Sequence, residues 1–174
     1  MHSLSTIHLL RALHVLAGVF WVGSVFFIAW FLSPAIRSTG PAGGAVMQHL
    51  AQAGRLPVWL MAATVVTVLS GIGLYSIDSA GFHSAWLGSG PGRTFGIGGV
   101  LGIVAATLGM VVNAPTARRL GSLAARIHGS GTPPAAQDIG ELQRLQSRLA
   151  WATRTAAVLL ALATLAMAVA RYVP

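Results

Sequence analysis

The chain lacks cysteine and lysine, and it contains only three acidic residues among 174. The absence of cysteine excludes disulfide bonds, iron–sulfur clusters and thiolate metal sites. Charged residues make up 8% of the sequence and hydrophobic residues 55%, whereas an ordinary soluble domain carries about 25% charged residues. This shortage of charge, together with apolar runs of about 20 residues, favours membrane-spanning helices over a large water-soluble core.

Long apolar segments organise the whole chain, residues 1–174, as a single transmembrane domain. The segments are long and do not alternate in polarity, which is unlike the strands of a membrane β-barrel. Ser33-Pro34 and Pro115 are expected to end the first and third spans, because proline interrupts a helix. The predicted fold is all-α, an integral membrane antiparallel four-helix bundle. The predicted spans are about 9–32, 56–77, 95–114 and 150–173.

Helical extensions of spans three and four are predicted beyond the membrane, on the cytoplasmic side. The third span is expected to continue through Arg118 and Arg119 toward Ile127. Asp138 and Glu141 have the spacing of an N-cap residue and its N3 partner. A helix that begins there would run without interruption into the fourth span.

The arginines predict the orientation of the spans. Two lie in the first loop and five in the third loop, against about three on the opposite side. This imbalance places both odd-numbered loops in the cytoplasm and both termini outside. The expected location is a bacterial-type inner (plasma) membrane, with the lipid bilayer as the main partner. Because the arginines lie mainly at the ends of spans, lipid headgroups explain them better than nucleic acid.

His14 is the leading candidate for a functional residue, because ionisable side chains are costly inside a membrane. Arg11, His14, Gly18 and Trp21 follow the three- and four-residue spacing of one helix face. Imidazole is a common axial ligand of haem iron. The hypothesis is that His14 ligates haem b, that Gly18 leaves room for the macrocycle, and that Arg11 pairs with a propionate.

A second interpretation gives the same residues a structural role. His14 would then form a hydrogen bond to another helix, and Gly18 would allow two helices to pack closely. Under the haem hypothesis, His83 in the second loop is the histidine from another segment on the same side of the membrane, and therefore the candidate second ligand. The candidate copper ligands are His14 and His49, and His49 lies close to Met47 in the sequence.

Two segments resemble a known superfamily. Residues 10–23 (LRALHVLAGVFWVG) resemble the first helix of the copper resistance D (CopD-like) membrane proteins and of the related HemJ-type protoporphyrinogen oxidases. Residues 70–75 (SGIGLY) resemble their second helix. The resemblance implies an antiparallel four-helix membrane bundle, and it implies that His14 matches the histidine associated with haem b in HemJ-type proteins.

Three functions remain open on the sequence. The first is a haem b-binding membrane protein with a redox or electron-transfer role. Such a protein could be a haem-dependent oxidoreductase. The second is a copper-handling or small-solute permease, which the scarcity of polar residues in the spans disfavours. The third is a non-catalytic membrane subunit or assembly factor. In the third case, glycine and alanine in spans three and four would allow close helix packing, either within the bundle or against a membrane protein partner or a second copy of the chain.

Overall fold

The computed structural model describes residues 4–131, 133 and 135–174, and these residues form helices and connecting turns without a strand. Long helices dominate because the apolar segments satisfy all their backbone hydrogen bonds internally. Four helical stretches are long and apolar enough to cross a membrane: Ser5–Ser38, Leu56–Asp78, Gly90–Ile127 and Ala136–Tyr172.

Within these stretches the helical geometry changes at defined points. The elements in chain order are α1 (Leu4–Phe27), a π-helical turn (Ile28–Leu32), α2 (Ser33–Ser38), α3 (Pro41–Gln52), α4 (Leu56–Asp78), α5 (Ser84–Leu87), α6 (Gly90–Leu108), a second π-helical turn (Gly109–Asn113), α7 (Ala114–Gly129), α8 (Ala136–Val169) and a 3₁₀ turn (Ala170–Tyr172). The helical extensions predicted after span three and before span four are therefore present, as α7 and the first turns of α8.

Each π-helical turn ends two residues before a proline. Pro34 and Pro115 each follow a π turn by two residues. Proline donates no backbone hydrogen bond, and its ring clashes with the carbonyl four residues earlier in an α-helix. The wider π turn relieves this clash. As a result, the first helix continues past Pro34 to Ser38 rather than ending at Ser33-Pro34 as predicted.

The start of α8 also differs from the prediction. The helix begins at Ala136, with Ala135 as its N-cap and no side-chain cap. Asp138 lies in the first turn, where its carboxylate pairs with Arg126 of α7 at 3.0 Å. The predicted capping role of Asp138 was wrong, because this ion pair to the preceding helix engages the carboxylate instead.

The two most extensive helix contacts are those of α6 with α8 and of α1 with α4, and smaller contacts join α1 to α8 and α4 to α6. The buried core draws on all four of these helices. It is centred on Trp21, Ala63, Ala105, Ala106 and Leu160. Most other large apolar side chains are exposed on the outer surface, as a membrane protein requires.

At each end of the molecule, residues near the ends of the long helices contact residues that are distant in the sequence. At one end, the Arg37 guanidinium donates a hydrogen bond of 2.8 Å to the carbonyl of Gln146 in α8. At the other end, Gly90 at the start of α6 lies directly against Pro174. The Tyr75 hydroxyl also donates to the carbonyl of Gly92 at 3.0 Å, and its ring meets Trp86 edge-on at a centroid distance of 5.1 Å.

Candidate functional site at the α1–α4 interface

His14 lies on the face of α1 that packs against α4. It is ten residues from Leu4, so it lies about 15 Å along the helix. The side chain is half-buried. Its Nδ1 atom is 2.8 Å from the carbonyl oxygen of Thr67, which can only accept a hydrogen bond. The ring therefore carries its proton on Nδ1 in the neutral form, and the lone pair remains on Nε2.

The surface of α4 that receives this ring is made by three residues at helical spacing. Ser70 and Gly71 come three and four residues after Thr67, and so lie on the same face of α4 as Thr67. The Ser70 hydroxyl lies 3.4 Å from the Nδ1 atom of His14. A Cβ atom on Gly71 would lie only 2.8 Å from the Cε1 atom of His14. Only glycine at this position allows the imidazole to approach α4 so closely.

The hydroxyl groups beside His14 are satisfied within their own helix. Thr67 donates to the carbonyl of Ala63 at 2.7 Å, and Ser70 donates to the carbonyls of Val66 and Thr67. Such local bonds remove free donors from an environment without water. We refer to His14, Thr67, Ser70 and Gly71 together as the His14 contact.

Gly18 also lies at this interface. A Cβ atom on Gly18 would meet the Thr67 methyl group at 3.6 Å, which is an ordinary packing distance. Thr67 thus fills the space beside Gly18 that the haem hypothesis assigned to a macrocycle. This geometry matches the alternative interpretation, in which the histidine bonds to a neighbouring helix and the glycine brings the two helices together.

The other predicted site residues are not brought to His14 by hydrogen bonds. Arg11 is exposed and makes no hydrogen bond or ion pair within the described part of the chain. His83 precedes α5 as its N-cap residue and is exposed. His49 is exposed on α3. Among the described residues, no group of three or more histidine, cysteine, aspartate or glutamate side chains is placed to hold a metal ion.

Two observations bear on the space that a haem would need beside His14. A haem site needs a flat cleft beside the axial ligand, and the Thr67 methyl group lies within packing distance of Gly18 at this interface. Two cavities in the described part of the chain are lined by other residues. One lies between α2, α3 and α8, and the other is an apolar groove that includes Leu16, Phe20 and Trp59. One feature does suit a ligand: Nε2 of His14 has no hydrogen-bond partner among the described residues.

The partners of His14 on α4 were not identified from the sequence. A usable signal was present, because Thr67, Ser70 and Gly71 are small or polar residues on one face of an otherwise apolar helix. From the sequence, residues 70–75 predicted only a resemblance to a known helix, and not a contact with His14.

Comparison with protein-family models, curated proteins and solved structures finds no match to this chain.

Proposed function

We propose that the protein is a multi-pass integral membrane protein of the bacterial inner-membrane type, with four spans arranged as an antiparallel bundle. The apolar helices support the membrane location. The bond from Arg37 to Gln146 supports a common side for the first and third loops. The arginine-rich loops then face the cytoplasm, and the opposite end of the bundle, where Gly90 lies against Pro174, faces outward.

We infer that the protein acts as a non-catalytic membrane subunit in which His14 fixes the first two spans relative to each other. The observation that carries this proposal is the 2.8 Å contact between Nδ1 of His14 and the carbonyl of Thr67. A hydrogen bond between helices fixes their register as well as their separation, because it forms only when two particular atoms meet. The role accounts for the intramembrane histidine and for both glycines near it, without a cofactor.

Open glycines on α6 and on the π-helical turn that follows it support the presence of a membrane partner for this subunit. Gly99, Gly102 and Gly109 have no other atom within 4 Å of the position that a Cβ would take. Their spacing places them on one side of the helix. Small residues on a lipid-facing side permit close approach by another membrane helix, either from a different protein or from a second copy of this chain.

A haem b-binding function is the second candidate, and the free Nε2 atom of His14 favours it. An Nδ1 bond to a carbonyl is the arrangement that orients metal-ligating histidines. Bound haem would supply one-electron redox chemistry. Two observations weigh against this candidate. Thr67 packs against Gly18, and no second histidine among the described residues is hydrogen-bonded to the residues of the His14 contact.

An optical spectrum separates the two candidates. We would purify the protein in detergent, record spectra before and after dithionite reduction, and measure bound metals in the same sample. A colourless, metal-free protein is the result expected for a structural subunit. A Soret band that disappears in His14→Ala would establish haem ligation instead, and stoichiometric copper would favour metal handling at His14 or His49.

A further inference from the structure

An open cavity of about 380 Å³ lies between the α2–α3 segment and the first half of α8. Its lining is mixed in polarity. Polar residues (Arg37, Gln143, Gln146 and Ser147) line it together with Ile36, Gly40 and Gly44.

The donors that face this cavity are largely uncommitted. Arg37 is held in place by its hydrogen bond to the carbonyl of Gln146. A guanidinium carries five N–H donors, so the others remain for a ligand. The side chains of Gln143 and Ser147 make no hydrogen bond to another described residue. The cavity thus combines one fixed positive charge with neutral donors, which suits an oxyanion with several acceptor oxygens.

Gly40 and Gly44 border open space at this cavity. A Cβ atom on Gly40 or Gly44 would have no other atom within 4 Å. Gly40 has a φ of +59° and is the N-cap of α3, so side chains are disfavoured there. The positive end of the α3 dipole also begins at Gly40, and it adds to the charge of Arg37.

The position of the cavity indicates where its ligand comes from. Its wall includes α2, the last part of the apolar stretch Ser5–Ser38, so it lies at the membrane boundary. Arg144 and Arg148 are exposed on the same half of α8, while the carboxylate of Asp138 is already paired with Arg126. Positive charge at the cytoplasmic surface attracts anionic lipids.

We infer that this cavity binds the phosphate-bearing headgroup of an anionic lipid, with Arg37 as the charged contact. The inference rests on the proposed membrane placement and is independent of the role of His14. Failure of the membrane placement would appear as protein that stays soluble without detergent. Failure of the lipid site would appear as detergent-dependent protein without lipid selectivity.

The test is a titration of the full chain in a neutral detergent with dioctanoyl phosphatidylglycerol, followed by native mass spectrometry. Dioctanoyl phosphatidylcholine and inorganic phosphate are titrated in parallel. We expect phosphatidylglycerol to bind more tightly than either. Arg37→Gln should weaken the binding of phosphatidylglycerol about tenfold, because one charge-assisted hydrogen bond is lost. Gly44→Leu should weaken it by at least as much, because Gly44 lines the cavity and a leucine there takes up part of its space.

Matched controls lie on α7. Arg118 and Gly121 are exposed and do not line the cavity, and a Cβ on Gly121 meets no other atom. Arg118→Gln and Gly121→Leu should keep the wild-type affinity. Equal losses in these controls would show general charge attraction and overturn the site. Equal binding of phosphatidylcholine, or phosphate binding alone, would overturn the lipid assignment. If Arg37→Gln does not fold, an unchanged affinity in Gly44→Leu overturns the proposal by itself.

Discussion

Two helix interfaces in the same molecule achieve close packing by different means. Between α1 and α4, one polar side chain reaches across to a backbone carbonyl, with Gly71 leaving room for its ring. Between α6 and α8, the buried residues are mostly glycine and alanine, and a Cβ on Gly98 would lie 3.2 Å from the carbonyl of Ala163. The first interface depends on one specific bond, and the second on the absence of side-chain volume.

The difference matters because lipid tails are as apolar as the helices themselves. Burial of apolar surface therefore gives little drive for association inside a membrane, and close packing and hydrogen bonds supply it instead. Close packing distributes stability over many positions. A single hydrogen bond contributes only about 1 kcal/mol in membranes, but it selects one register. The His14 contact should therefore matter more for arrangement than for overall stability.

The largest effect is expected from overpacking the α6–α8 interface. In Gly98→Leu, the new side chain starts 3.0 Å from the Met167 side chain and 3.2 Å from the Ala163 carbonyl. We expect the free energy of unfolding to fall by about 3 kcal/mol, measured by SDS titration of the detergent-solubilised protein. Gly23→Leu is the control, because a Cβ there also meets no atom within 4 Å and Gly23 lies on α1, away from the glycines proposed to face a partner. Equal losses in both variants would refute this packing.

A smaller loss is expected from Gly71→Ala in α4. The added methyl group would lie 2.8 Å from Cε1 of His14, so the ring must move and its bond to Thr67 must weaken. We expect a loss of about 1.5 kcal/mol in the same titration. Gly73→Ala is the matched control, because its methyl group would meet Leu10 at an ordinary 3.6 Å. A harmless Gly71→Ala would mean that His14 does not pack there.

Asn113 offers a contrast to the satisfied polar groups of the α1–α4 interface. Its Oδ1 atom is buried in the second π-helical turn and has no hydrogen-bond partner among the described residues. An unpaired buried carbonyl carries a desolvation cost of about 1–3 kcal/mol. Asn113→Leu should therefore raise the free energy of unfolding by about 1 kcal/mol. A lower free energy of unfolding in Asn113→Leu would contradict this account, because it would show that the Asn113 amide forms a stabilising hydrogen bond.

The smallest effect is expected at the ion pair that joins α7 to α8, between Arg126 and Asp138. The arginine side chain is 67% exposed, and exposed pairs contribute about 0.2–1 kcal/mol. Asp138→Asn should lower the free energy of unfolding by about 0.3 kcal/mol in low salt and have no effect in 1 M salt. A loss above about 1 kcal/mol would point to a further role for this carboxylate.

The sequence was sufficient to predict the helices but not the way they pair. Uninterrupted apolar runs predict membrane helices by length alone, and the breaker segment from Gly129 onward predicts the turn before α8. Pairing is harder, because lipid-facing and buried faces are both apolar and periodicity does not separate them. Trp21 and Val19 are both apolar, for example, yet Trp21 is buried while Val19 is 68% exposed.

The sequence predicted one side of the candidate site, His14, but not its partners on α4. A histidine in an apolar run is conspicuous, and the sequence identified His14 and its two possible roles. Its partner atom is a backbone carbonyl, which every residue of α4 has. The indirect signal is therefore the small and polar residues around that carbonyl, Thr67, Ser70 and Gly71. The continuation of α1 past Pro34 was missed because a π turn depends on backbone adjustment rather than on a recognisable motif.

A double-mutant cycle on His14 and Gly71 tests the central claim most directly. The free energy of unfolding is measured for the wild type, His14→Ala, Gly71→Ala and the double variant, all in the same detergent. If the ring packs against Gly71, the loss caused by Gly71→Ala should vanish once His14 is alanine, with a coupling energy of about 1 kcal/mol or more. Additive losses would contradict the account, because they would show that the two residues do not meet.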